Sequence, residues 1–193
     1  MTILNQILEA NDAFTKSLPL EFINSDPKLS KIPLRQLAIF TCMDTRLVEF
    51  LEPALGIRRE DAIVIKNAGN SVTGSFESTI RSLMVGIYEL NVKEIMVIGH
   101  EDCGVSNTSA KDISEKMLAR GISRDAIKMV EEEMALWLDR FNHPEENVQH
   151  VVGKIRNNPL IPSDVPVHGL LFNPHDGSLK LISSGYGSIS LSA

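Results

Sequence analysis

Cysteine is scarce: only Cys42 and Cys103 occur among 193 residues. Two thiols argue against a disulfide-stapled scaffold; in a reducing compartment such a pair serves as metal ligands, catalytic groups or inert core. No apolar run approaches the ~18 residues of a membrane span, so no membrane partner is expected. Basic blocks are missing as well. With 19 basic against 25 acidic residues and a net charge of −6, neither nucleic acid nor an anionic membrane suits the chain as its main partner. The N-terminus shows no basic-then-apolar leader, because Asn5, Gln6 and Glu9 interrupt it, and a cytoplasmic location is the expectation. Internal repeats and low-complexity tracts are also absent. What is present is 43% apolar residues, enough for one domain over 1–193 with a sizeable core.

Ile3, Ile7, Leu8, Asn11 and Phe14 recur at helical spacing and predict an amphipathic helix over 2–16. Pro19, Pro27 and Pro33 follow in a stretch without period, so 17–35 reads as an extended arm. Such an arm packs a helix either on its own body or on a second subunit. Short apolar strands are predicted at 37–41, 62–65 and 95–98. Helices are predicted between them at 47–55, closed by Gly56, and along Ile80, Leu83, Met84, Ile87 and Leu90. Two further helices flank Gly121. The second starts at the N-cap Ser123 and carries Ile127, Val130, Met134, Leu138 and Phe141 on one face. Pro144 opens a helix through Ile155, stopped before Pro159. Runs at 169–172 and 179–183 bracket a turn-rich link and form a hairpin. The fold class is α/β: a central, mostly parallel β-sheet with an antiparallel edge, flanked by helices, with an N-terminal helical arm.

In such sheets ligands bind beyond the carboxyl ends of the strands. Three strands here end in polar clusters, at 42–46, 66–70 and 100–104. Cys42, His100 and Cys103 offer two sulfurs and an imidazole, a donor set that suits Zn²⁺, one ion per chain. Three protein ligands leave a fourth tetrahedral corner open, the mark of a catalytic zinc. Two thiolates make the ion a milder Lewis acid than three imidazoles would, which favours activity at alkaline pH. A helix after Gly104 is expected to turn its positive end on Cys103. Cys42, Asp44 and Arg46 alternate, so an extended chain projects them into one pocket. Asp44 either orients the nucleophile or binds the metal as a fourth ligand in a resting state, and Arg46 holds it off by a charge-assisted pair. Taken alone, His-x-x-Cys is a weak signal, and Cys-x-Asp-x-Arg fits a buried thiol beside a surface ion pair. Both on strand ends point to zinc. His143, His150, His168 and His175 read as surface or turn residues.

Cys-x-Asp-x-Arg, Asn-Ala-Gly-Asn and Gly-His-x-x-Cys-Gly, in that order from residue 37 to 104, resemble the β-class carbonic anhydrases. Val-His-Gly-Leu-Leu-Phe and Asp-Gly-Ser-Leu, between 167 and 181, are similar to the family's last two strands. The Cys-Met-Asp-Thr-Arg form and the short chain resemble its compact prokaryotic branch. The resemblance implies Cys42, His100 and Cys103 as zinc ligands and Asp44 with Arg46 as a catalytic dyad. It implies a substrate pocket lined by Asn67, Ala68, Gly69 and Asn70, and reversible hydration of CO₂ to bicarbonate by zinc-bound hydroxide. It further implies a homodimer, or a dimer of dimers, in which the N-terminal helix and arm (1–35) reach over the partner. Lys66 stands where many members carry arginine, and no counterpart is seen of the glutamine with which plant-type members bind substrate.

Two other readings remain open at this level. The same zinc site serves hydrolysis of carbonyl sulfide or carbon disulfide equally well. A non-catalytic zinc or thiol-redox protein would use the two cysteines but has no need of Asp44 and Arg46.

Overall fold

The computed structural model describes residues 1–19, 22–23, 30–139, 141 and 143–187. The chain divides into two compact units, Met1–Lys31 and Ile32–Ala193. The first unit holds helix α1 (Ile3–Lys16), capped by the Thr2 hydroxyl, which accepts from the Asn5 amide. None of its residues is buried, and Ile3, Leu4, Ile7 and Leu8 stand more than half exposed. Most of the arm expected over 17–35 lies outside the described residues. Its last residues are not loose: Leu34 and Arg35 donate their amides to the carbonyls of Glu60 and Asp61.

The second unit is built on a five-stranded sheet in the order β2-β1-β3-β4-β5. Strands β1 (Leu37–Cys42), β2 (Ala62–Asn67), β3 (Glu94–His100) and β4 (Val167–Phe172) are parallel. β5 (Leu179–Ser183) closes the edge antiparallel to β4. β1 lies second from one edge, and all six of its residues are buried, because both sheet faces are covered. On one face Ala38, Phe40, Ile95 and Val97 meet Ile80, Leu83, Val148 and Val152. On the other, Ile39, Ile98 and Phe172 meet Leu47 and Leu51. The strand order reverses between β1 and β3, so the crevice expected of a doubly wound sheet opens at the carboxyl ends of those two strands.

The helices follow the apolar periods with two exceptions. α3 (Ser78–Tyr88), α4 (Ala110–Ala119) and α7 (Pro144–Arg156) match the expected segments, the last with Pro144 in its first turn. The helix expected over 47–55 shrinks to a 3₁₀ turn at Thr45–Leu47 and one α-turn, α2 (Leu51–Ala54). Glu49 between them has φ of 55°, a left-handed conformation that no helix accommodates. The long helix expected from Ser123 splits into α5 (Arg124–Lys128) and α6 (Glu131–Leu138). Ile127, Met134 and Leu138 still reach one small core with Ala110 of α4. Burial kept their period while the backbone turned at Met129–Val130.

α7 lies unusually close to the sheet. A Cβ added to Gly99 of β3 would stand 2.5 Å from Val148 Cγ2, and one on Gly169 of β4 would stand 2.8 Å from Val148 Cγ1. These two glycines let the first turns of α7 settle over the ends of β3 and β4. That approach carries Pro144 and Asn147 to the crevice.

Candidate metal centre

β1 ends at Cys42 and β3 at His100, two adjacent parallel strands. Cys103 follows three residues after His100, just before a short 3₁₀ turn, Gly104–Asn107. Sγ of Cys42, Sγ of Cys103 and a ring nitrogen of His100 lie within 4.8 Å of one another, and all three residues are buried. The sulfurs are 3.9 Å apart, well beyond the ~2.05 Å of a disulfide. His100 Nδ1 lies 2.8 Å from the Glu101 carbonyl oxygen. It can bond that oxygen only as a donor, which leaves Nε2 as the lone-pair nitrogen. Nε2 is buried without a hydrogen-bond partner. An orphaned imidazole lone pair facing two sulfurs fits a thiophilic cation such as zinc.

Electrostatics point the same way. A hydrogen bond from Cys103 holds the Cys42 thiol below its ordinary value, against burial, with help from His100 and the backbone amides of Gly69 and Asp44. The same contact and burial push Cys103 up. One proton shared between two buried sulfurs is what a divalent cation would displace. Burial lowers His100, but its contacts with Cys42 and the Glu101 carbonyl outweigh burial and raise it. The helix expected after Gly104 is only a single 3₁₀ turn, so no helix dipole is available to hold Cys103 as thiolate.

Asp44 and Arg46 meet by a different route from the strand alternation expected. The strand stops at Cys42, and Asp44 caps the turn Thr45–Leu47 by accepting the Arg46 amide at 2.9 Å. The turn swings the Arg46 guanidinium back onto the carboxylate. Nε donates to Oδ1 at 3.0 Å and Nη2 to Oδ2 at 2.9 Å, a two-pronged pair. Arg46 also donates to Asp102, through Nη1 to Oδ2 at 2.9 Å and through Nη2 to the carbonyl at 2.7 Å. The Arg46 hydrogen bonds keep Asp44 at about 2, below the usual carboxylate range. Asp44 Oδ2 stands 3.8 Å from His100 Nε2.

The narrow cavity beside this group is lined by Cys42, Gly69, Asn70, His100, Phe141 and Asn147, with others. Of the turn assigned to the pocket, Gly69 and Asn70 line it. Asn67 instead turns its amide to the Ser71 carbonyl and the Thr79 hydroxyl, and Ala68 gives its carbonyl to the Ser71 hydroxyl. Lys66 pairs with Glu52 at 2.8 Å. Asp102, Phe141 and Asn147 were not legible as site residues. Asp102 sits inside the His-x-x-Cys run, where its acidity was a usable signal. Phe141 and Asn147 reach the site only through the packing of α7 and the segment before it. His168, expected at the surface or in a turn, is buried on β4 beside Glu94.

A family model for carbonic anhydrase matches residues 37–179. The carbonic anhydrase-like protein YtiB of Bacillus subtilis (strain 168) is 43% identical over 191 residues, covering 97% of this chain and 100% of that protein. The crystal structure of β-carbonic anhydrase isoform I from Trichomonas vaginalis superposes with a TM-score of 0.90 at 42% identity, over 96% of this chain and 100% of that one. A carbon disulfide hydrolase of Acidianus sp. (strain A1-3) is 30% identical, over 76% of each chain. With strand order, strand-end motifs and these likenesses in agreement, the chain belongs to the β-carbonic anhydrase family.

Proposed function

We propose that this protein catalyses the reversible hydration of carbon dioxide to bicarbonate, with one zinc ion held by Cys42 Sγ, His100 Nε2 and Cys103 Sγ. The observation that carries the reading is the buried, partnerless His100 Nε2, faced by two sulfurs and by a carboxylate 3.8 Å away. A zinc ion bound there would supply the Lewis acidity that turns water into a nucleophile.

The chain's own residues do the rest. Asp44 stays ionised across the physiological range, because Arg46 donates to both of its oxygens. It can therefore accept a hydrogen bond from the attacking water and orient it towards the substrate carbon. Arg46, anchored in turn on Asp102, holds the carboxylate away from the three ligand atoms. Gly69, Asn70 and Phe141 form a small wall suited to a linear, nonpolar molecule. Hydrolysis of carbon disulfide is the weaker reading, since the hydrolase relative stands at 30% identity against 43% for YtiB. A thiol-redox role gives no use for the Asp44–Arg46 pair.

The assembly we infer is a homodimer in which α1 lays Ile3, Ile7 and Leu8 on the partner. The support is that α1 presents these side chains while burying none of its residues. Cytoplasmic action is inferred from two free, buried cysteines. Among the described residues no helix is long and apolar enough to cross a membrane.

Stopped-flow CO₂ hydration by zinc-loaded protein, run beside carbon disulfide and carbonyl sulfide hydrolysis, tests the activity, and metal analysis tests the ion. About one zinc per chain and hydration well above the buffer rate are expected. Hydrolysis of the sulfur analogues without CO₂ hydration would overturn the reading.

A further inference from the structure

The turn Ala68–Asn70 has two consecutive residues in the left-handed region, Gly69 at φ 68° and Asn70 at φ 44°. Such a turn exposes carbonyls to no regular partner, and Gly69 and Asn70 are both buried. Unpaired buried carbonyls are costly, so donors must come from elsewhere. The Ala68 carbonyl accepts from Ser71 Oγ at 3.0 Å, and that hydroxyl is itself fixed by Trp137 Nε1 of α6 at 2.9 Å. The other carbonyls depend on a single side chain from α7. Asn147 Nδ2 donates to the Gly69 carbonyl at 3.0 Å and lies 3.5 Å from the Asn70 carbonyl and 3.4 Å from Asn70 Oδ1.

The turn matters because Gly69 and Asn70 line the cavity beside Cys42, His100 and Cys103. A Cβ at Gly69 would also stand 3.0 Å from the Phe141 ring, so any shift of the turn moves the cavity wall with it. Asn147 itself lines that cavity, brought there by the close seating of α7 over Gly99 and Gly169.

We propose that Asn147 is a positioning residue of the metal centre: through the Gly69 carbonyl it locks the turn that walls the cavity beside Cys42, His100 and Cys103. The role rests on the zinc reading above. A wall held in place keeps the substrate carbon in line with the attacking water.

The test compares wild type with Asn147→Leu, similar in volume but without a donor, and with Asn147→Ser, which keeps a shorter donor and serves if the leucine variant does not fold. Exchange of the Gly69 amide, followed by NMR in the zinc-loaded protein, is expected to speed up in both, more in Asn147→Leu. Turnover should fall about tenfold, the effect of one lost hydrogen bond, with KM nearly unchanged. Unaltered amide exchange and turnover in a variant that folds and holds one metal per chain would overturn the role. Wild-type protein that takes up no metal would instead overturn the zinc reading, so the two failures are told apart.

Discussion

Asp44 Oδ2 lies 3.8 Å from His100 Nε2 while both carboxylate oxygens are engaged by Arg46. The carboxylate is near enough to the ligand group to act on a molecule there, yet is claimed by the guanidinium.

From that geometry, Asp44→Asn should leave the metal in place and lower turnover by about 10²-fold, the usual cost of a misplaced reacting group. Stopped-flow hydration with parallel metal analysis reads both. Full activity in the variant would remove the carboxylate from the mechanism. Arg46→Ala should lower turnover too, by freeing Asp44 from its two-pronged hold.

The Asp44–Arg46 pair also has a pH signature. The folded pKa of about 2 lies below the ordinary 3.8. A depressed carboxylate adds stability that is present above pH ~4 and lost as pH falls towards 2. Denaturant unfolding between pH 5 and 2.5 should show an acid-side loss on the order of 1 kcal/mol that Asp44→Asn lacks. An equal slope in both proteins would refute it.

Cys42→Ser and His100→Ala should each lose the metal and the activity together. Each removes one of three converging ligand atoms, and two protein ligands seldom retain zinc. Atomic absorption after dialysis is the measurement, and retention of a full equivalent by either variant would reject the ligand set.

At the opposite end of the sheet His168 offers a second pH effect. Its Nδ1 accepts the Gly185 amide at 3.1 Å, its Nε2 stands 3.1 Å from Glu94, and its ring meets Tyr186 edge-on. Burial lowers its pKa, Glu94 works against that, and Arg156 adds to it. A histidine depressed below 6.5 stabilises the fold above that pH, and the contribution is lost as pH falls through the folded pKa. Protonation at Nδ1 would also cost the bond to Gly185. Melting temperatures should fall for wild type as pH drops from 7.5 to 5. They should run flatter for His168→Asn, which accepts without titrating.

Deleting residues 1–30 should give monomers or aggregates, measured by sedimentation. An unaltered dimer would refute the inferred role of α1. The exposed apolar residues of that helix supply the reason.

Local pattern and distant contact divided the labour in this protein. Strand periods, the breaks after them and the residue types at those breaks were all local, so Cys42, His100 and Cys103 could be assembled on paper once the strands were taken as parallel neighbours. The α/β class followed from the same alternation. The apolar spacing over 47–55 carries no sign of the left-handed Glu49 that breaks the helix. The single helix expected after Ser123 breaks into two because a buried period survives a turn at Met129–Val130.

The composition and order of the chain determined the donor set, the acid–guanidinium pair and the sheet that gathers them, since each depends on residue type and short-range spacing. The tertiary structure alone decided that Arg46 is shared with Asp102, that Phe141 walls the cavity, and that Asn147 reaches Gly69, 78 positions earlier. Those contacts come from how closely α7 packs on Gly99 and Gly169. Packing distance between elements far apart in the chain leaves no period in the residues that create it.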